Sequence, residues 1–159
     1  MIFRKARENE LTLILQLYNS VKNEPLCVWN DDYPTIFEIE EDYQTNNLFV
    51  LAQDDKIIGA LSIVPTNEMD DFTEWNIKEN IIETARIVID KNYQGNGYSL
   101  YMVKCLIEKC RNDKISAIHL SCQVDNIPAI KTYQKAGFKF LTIKQMYQNM
   151  YYLCEYIID

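Results

Sequence analysis

The segment Gln94-Gly95-Asn96-Gly97-Tyr98-Ser99 places two of the four glycines between an apolar stretch ending at Ile89 and an amphipathic one beginning at Leu100. A turn of this kind aims unpaired backbone N–H groups and the positive end of a helix dipole at one spot. Glycine lets a ligand reach that backbone with no Cβ in the way. The chemistry is anion binding, most naturally of phosphate or pyrophosphate. Two glycines alone fit an ordinary strand-to-helix turn equally well. A dinucleotide fingerprint needs a third glycine where Leu100 stands, and a Walker loop needs Gly-Lys-Ser/Thr, which is absent. Cys27, Cys105, Cys110, Cys122 and Cys154 are odd in number and show no C-x-x-C spacing, as expected of small apolar side chains in a reducing compartment. The single histidine, His119, sits in the apolar stretch Ala117 to Cys122 and reads as a satisfied strand residue. One histidine and ungrouped cysteines make no metal site, so no metal is expected.

A second segment decides between the readings of the glycines. Asn126-Ile127-Pro128-Ala129 is followed by Tyr133-Gln134-Lys135-Ala136-Gly137-Phe138, the pattern Asn-x-x-Ala then Tyr-x-Lys-x-Gly-Phe. About thirty residues upstream, Ile87-Val88-Ile89 leads through Asp90-Lys91-Asn92-Tyr93 into Gln94-Gly95-Asn96-Gly97. The two motifs, in this order, resemble those of the GNAT superfamily of acyl-CoA-dependent N-acetyltransferases. Lys91, where many members have proline, and Ser99, where many have glycine or alanine, depart from the pattern without blocking phosphate binding. Trp29 to Pro34 (W-x-x-x-Y-P) is similar to a bacterial subgroup of these enzymes.

The resemblance implies a co-substrate, acetyl-CoA, and a role for each matching residue. Ile87, Val88 and Ile89 would pair with the pantetheine arm, and the backbone from Gln94 through Gly95, Asn96, Gly97 and Tyr98 to Ser99 would hold the pyrophosphate. Asn126 would contact the arm and Lys135 its phosphates or adenine end. An amine would attack the thioester directly. Tyr133 would protonate the leaving thiolate, a phenol near pKa ~10 serving a thiol near ~8.5. The attacking alkylammonium, near pKa ~10.4, is neutral in only about one molecule in 2,500 at pH 7. Glu83 is the carboxylate placed to take that proton, with Glu74 and Glu38 in reserve, and a backbone N–H near Ile89 would hold the oxyanion. The alternatives are a non-catalytic acyl-CoA sensor or scaffold of the same fold, and a small nucleotide-binding domain.

Charge bears on the acceptor. Residues 1–80 carry six Lys/Arg against sixteen Asp/Glu, residues 81–159 ten against seven, and the net is −7. An acidic chain without a basic stripe repels phosphate backbones, so nucleic acid is not an expected partner. In the family the first two helices and the loop after the third strand shape the acceptor pocket. Here those segments hold Asp31, Asp32, Glu38, Glu40, Glu41, Asp42, Asp70 and Asp71. That favours a cationic amine such as a polyamine, an aminoglycoside-like molecule, a lysine or a peptide N-terminus.

The elements that must position these residues follow from periodicity. The chain reads as a single N-acetyltransferase domain over residues 1–159, of ordinary globular composition. Ile2 to Ala6 predicts a strand, and Asn9 caps a helix with Leu11, Ile14, Leu15, Tyr18 and Val21 on one face. Thr35 and Glu38 have capping-box spacing ahead of Ile36, Ile39 and Tyr43. Leu48–Ala52 and Ile57–Val64 read as a hairpin, Pro65–Asn80 as a polar acidic loop, and Ile81–Ile89 as a strand alternating Glu83, Ala85, Ile87, Ile89. Leu100, Val103, Leu106, Ile107 and Cys110 form a helical stripe, Ala117–Gln123 a strand, and Asn126 to Gly137 a capped helix. Phe138–Met146 and Tyr151–Ile158 close the chain as an antiparallel pair, whose tyrosines read as core or as a dimer edge. The order β-α-α-β-β-β-α-β-α-β-β gives an α/β (α+β) fold, a mixed sheet with helices on both faces, and the resemblance implies a mostly antiparallel sheet of six or seven strands flanked by about four helices. With no long apolar run and no signal-peptide stretch after Met1, the protein is expected in the cytoplasm, away from membranes.

Overall fold

Four residues of the first strand, Ile2–Lys5 (β1), pair antiparallel with Leu48–Gln53 (β2) in the computed structural model, which describes residues 1–64 and 69–159. β2 turns back through Asp54-Asp55, both left-handed, into Lys56–Val64 (β3). That conformation matches the twist of a two-residue hairpin, and aspartate tolerates it. Ile81–Ile89 forms β4, Ala117–Gln123 β5, Lys139–Met146 β6 and Asn149–Ile157 β7. The hydrogen-bonded order is β1-β2-β3-β4-β5-β7-β6, seven strands in which the β4–β5 pair is parallel and the β5–β7 and β6–β7 pairs are antiparallel. The helices are Leu11–Val21 (α1), Ile36–Gln44 (α2), Tyr98–Asn112 (α3) and Ile127–Ala136 (α4). This is the expected order of elements, with the higher of the two strand counts.

The chain forms two compact units. The first comprises Met1–Ile63 and Arg86–Met102. Its core gathers Ile14, Leu17, Tyr18 and Val21 of α1, Ile39 of α2, Leu48 and Val50 of β2, Ala60 of β3 and Val88 of β4. α1 therefore buries the predicted face, but its entry differs. Asn9 does not cap it; the chain arrives through a 3-10 turn at Glu8–Glu10. Glu10 is the reason, because its carboxylate accepts the Arg7 N–H at 2.8 Å and two hydrogen bonds from Arg4 at 2.6 and 2.9 Å. β1 accordingly stops at Lys5, one residue short of the expected strand. The capping box of α2 is present, with the Glu38 carboxylate accepting from both the Thr35 N–H and its hydroxyl at 2.6 Å.

The second unit comprises Val64–Ala85 and Val103–Asp159, of which residues 65–68 lie outside the described structure. The stretch expected as a polar loop buries Met69 and Trp75 against Leu153, and the Trp75 indole N–H donates to the Met69 carbonyl at 2.7 Å. β7 begins two residues earlier than predicted, because the left-handed pair Tyr147-Gln148 makes another two-residue hairpin. Tyr151 is buried whereas Tyr147 is exposed.

Candidate functional site

The glycine segment belongs to the first unit. Val88 and Ile89, which precede it, are buried, and Ile87 is half-buried. The Asp90 N–H donates to the Ile58 carbonyl at 2.9 Å, and the Asp90 carboxylate accepts the Asn92 N–H and side-chain amide at 2.9 and 3.0 Å. Beyond this turn, side-chain amides occupy the loop's own carbonyls. Gln94 Nε2 donates to the Ile89 carbonyl at 3.0 Å, and Asn96 Nδ2 donates to those of Tyr93 and Gln94 at 3.2 and 3.0 Å. Gly95 and Gly97 are left-handed, at φ +77° and +81°. A Cβ built on either would meet nothing within 4 Å. α3 is already wound at Gly97, whose carbonyl accepts the Tyr101 N–H at 3.0 Å. The first N–H groups of a helix point out of its N-terminal end, which here lies at Tyr98. Gln94 to Gly97 are exposed. A phosphate needs exposed N–H groups at a helix start and no Cβ in front of them, so these residues fit the pyrophosphate of a nucleotide cofactor.

One feature of β4 was not legible in the sequence. Arg86 is left-handed, at φ +53°, in mid-strand. That conformation costs about 1–2 kcal/mol in an L-residue with a Cβ, and it breaks the expected alternation from Glu83 to Ile89. Nε and Nη2 of Arg86 reach both oxygens of the Asp42 carboxylate at 2.7–3.0 Å, and Nη1 donates to the Tyr33 hydroxyl at 2.9 Å. Asp42 also accepts from the Ser62 hydroxyl at 2.5 Å. Burial works against the guanidinium's charge, but the Tyr33 phenol and the Asp42 carboxylate more than offset it and raise its pKa. Asp42, expected among the acids facing an acceptor, is instead the buried partner of an ion pair, and the Glu38 carboxylate is engaged in a helix cap. Asp31, Asp32, Glu40 and Glu41 remain exposed.

The second unit carries the other predicted residues. Tyr133 lies on α4 and is buried, its ring 5.6 Å from that of Phe138. Its hydroxyl has no hydrogen-bond partner among the described residues, and burial, aided by Cys122 and Cys154, raises its pKa. Asn126 caps α4, its side-chain oxygen accepting the Ala129 N–H at 3.2 Å, and the helix ends at left-handed Gly137. Lys135 is exposed. Glu83 is buried on β4, beside His119 of β5 in the parallel register. Glu74, a reserve base, is paired with Lys144 at 2.5 Å, and Glu68 lies outside the described residues.

His119 itself is part of a buried clasp. Its ring stacks on Trp75 at 3.9 Å, and Nε2 lies 3.1 Å from Oε1 of the fully buried Glu155. The Glu155 carboxylate also accepts the N–H groups of Asn76 and Ile77 at 3.0 Å and the Asn76 amide at 2.7 Å. Burial lowers the His119 pKa, and the carboxylates of Glu155 and Asp70 and the backbone at Ile77 only partly restore it. The unfolded chain therefore binds a proton more readily, near its ordinary value of about 6.5. Stability is full above that value and falls as the pH drops through it. Thermal unfolding between pH 8 and pH 5 should show this loss, and His119→Gln, which keeps a donor for Glu155, should flatten it.

Comparison with known proteins bears on the whole arrangement. A family model described as the acetyltransferase (GNAT) family matches residues 14–138. A spermine/spermidine N(1)-acetyltransferase of Bacillus subtilis is 43% identical over 56 residues, 35% of this chain, and the match spans 37% of that relative's length. A GNAT-family acetyltransferase structure from Streptococcus agalactiae superimposes with a TM-score of 0.86 over 99% of this chain and 95% of its own, at 18% identity. A Salmonella typhimurium structure described as an acetyltransferase with its cofactor acetyl-CoA gives a TM-score of 0.76 over 100% and 94%, at 16% identity.

Proposed function

Because the chain belongs to the acetyltransferase (GNAT) family, we propose that residues 1–159 act as one N-acetyltransferase domain that moves an acetyl group from acetyl-CoA to a primary amine. The observation that carries this reading is the loop at Gln94–Tyr98, whose glycines are left-handed with open space before their Cβ positions. Acetyl-CoA supplies the activated acetyl thioester. Residues Gln94, Gly95, Asn96, Gly97, Tyr98 and Ser99 hold its pyrophosphate, and the backbone of Ile87, Val88 and Ile89 pairs with the pantetheine arm. Asn126 contributes through its side-chain nitrogen, since its oxygen caps α4. Lys135, exposed and cationic, reaches the phosphate or adenine end.

Tyr133 is the general acid for the departing thiolate. With no hydrogen-bond partner among the described residues and a pKa raised by burial of the side chain, this phenol keeps its proton across the working pH range, which suits a donor that acts only as negative charge develops on sulfur. Glu83, buried on β4, takes the proton of the attacking ammonium. The acceptor is a cationic amine. Support comes from the acidic first half of the chain, whose exposed Asp31, Asp32, Glu40 and Glu41 survive the reassignment of Asp42 and Glu38, and from the resemblance to a polyamine acetyltransferase. No described helix is long and apolar enough to cross a membrane. We place the reaction in the cytoplasm, in a chain that works alone or as a homodimer.

Calorimetric titration with acetyl-CoA, beside ATP and NAD, tests the reading. Micromolar, CoA-selective binding followed by turnover with polyamines is the expected result. Absence of binding to acetyl-CoA and to longer acyl-CoAs would overturn it.

A further inference from the structure

The left-handed Arg86 is held by a buried ion pair with Asp42. Asp42 receives three hydrogen bonds from Arg86 and one from Ser62, so a single carboxylate ties α2 to β3 and β4. The Arg86 and Asp42 side chains are only 9% and 4% exposed, which leaves little freedom to exchange partners with water. A fourth hydrogen bond runs from Arg86 Nη1 to the Tyr33 hydroxyl. Such a network over-determines the one residue of β4 whose backbone conformation is unfavourable, and strain of that kind persists only where its surroundings hold it. The residues that follow without interruption are Ile87, Val88 and Ile89. Their direction is set by where Arg86 sends the chain. The neighbouring strand β3 packs closely on the same stretch: at Gly59 a Cβ would lie 2.7 Å from Ile89 Cδ1 and 3.0 Å from the Val88 carbonyl.

We propose that Arg86 is a positioning residue for the acyl donor: pinned by Asp42 and Tyr33, it holds the left-handed turn of β4 that presents the Ile87–Ile89 backbone to the pantetheine arm. The inference rests on the acetyl-CoA reading above. Its consequence is selective. The nucleotide end of the donor is assigned to the Gln94–Ser99 loop, which hangs on its own amide and Asp90 contacts. Loss of the pin should therefore weaken the arm's share of binding and spare the nucleotide's.

Arg86→Gly separates strain from pinning, because glycine adopts φ +53° freely but does not hold it. Binding of coenzyme A and of adenosine 3′,5′-bisphosphate, which lacks the arm, is measured by calorimetry for wild type and variant. Coenzyme A should weaken about tenfold in Arg86→Gly, the size of one lost net hydrogen bond, while the bisphosphate stays within about twofold. Arg86→Lys should recover part of the loss, and the KM for acetyl-CoA should rise more than the KM for the amine. Should Arg86→Gly fail to fold, Tyr33→Phe, which keeps the ion pair and removes only the phenol, is read in the same way with a smaller change. Equal weakening of both ligands, or of neither, in variants of a wild type that binds coenzyme A overturns the positioning role alone. A wild type that binds neither ligand overturns the acetyl-CoA reading and this inference with it.

Discussion

Replacing Tyr133 with phenylalanine is expected to lower kcat about 100- to 10,000-fold, the usual range for loss of a general acid, with acetyl-CoA affinity nearly unchanged. The structure makes this substitution clean. The Tyr133 hydroxyl has no hydrogen-bond partner among the described residues, so its removal strands no buried donor or acceptor. The ring keeps its contacts with Phe138, which packs in turn on Tyr156. Thermal stability should move by less than about 1 kcal/mol, the size of one net hydrogen bond, so a large loss of turnover reports on chemistry. Burial holds the phenol protonated well past the ordinary tyrosine value of about 10, and the alkaline limb of the wild-type pH profile below pH 10 should therefore not belong to it. A Tyr133→Phe enzyme as active as wild type would remove Tyr133 from the mechanism. The family assignment would stand.

Gly97→Glu should weaken acetyl-CoA binding about 100-fold or more. At φ +81° any side chain strains the backbone by about 1–2 kcal/mol. A Cβ there meets no protein atom within 4 Å, so the new side chain enters the space in front of the loop rather than the core. A carboxylate about 4 Å from a phosphate repels it by about 4 kcal/mol at the effective dielectric of a protein surface, which is near a thousandfold in affinity. Gly97→Asn is the companion, since asparagine tolerates the left-handed region and carries no charge. Its affinity should fall between those of wild type and Gly97→Glu. Unchanged affinity in Gly97→Glu would mean that no phosphate sits at this loop.

Most elements were legible because their signals are local. The Thr35/Glu38 capping box, the strands Ile81–Ile89 and Ala117–Gln123, and the Asn126 cap with its Gly137 stop all lie where spacing places them. The misses were also physical. Asn9 is a good cap by type, but Glu10 reaches Arg7 and Arg4 and imposes a 3-10 turn instead. The polar stretch before β4 hides Trp75, whose burial depends on His119 and Leu153, more than forty residues away in the chain.

The division for function is sharper. The sequence by itself determined the family, through two motifs of glycine, asparagine and tyrosine, because a phosphate-accessible turn and a helix cap need particular residue types at short fixed intervals. It also determined the order of strands and helices. It could not tell which carboxylates are free. Glu38, Asp42 and Glu74 read alike as acids on an acidic half, and only the folded chain sorts them into a helix cap, a buried ion pair and a bridge to Lys144. Nor could it show that Arg86 is left-handed, since no residue preference favours arginine there. That conformation exists because α2 and β3 bring Asp42 and Ser62 to one point, and a charge so deeply buried must take whatever backbone geometry satisfies it.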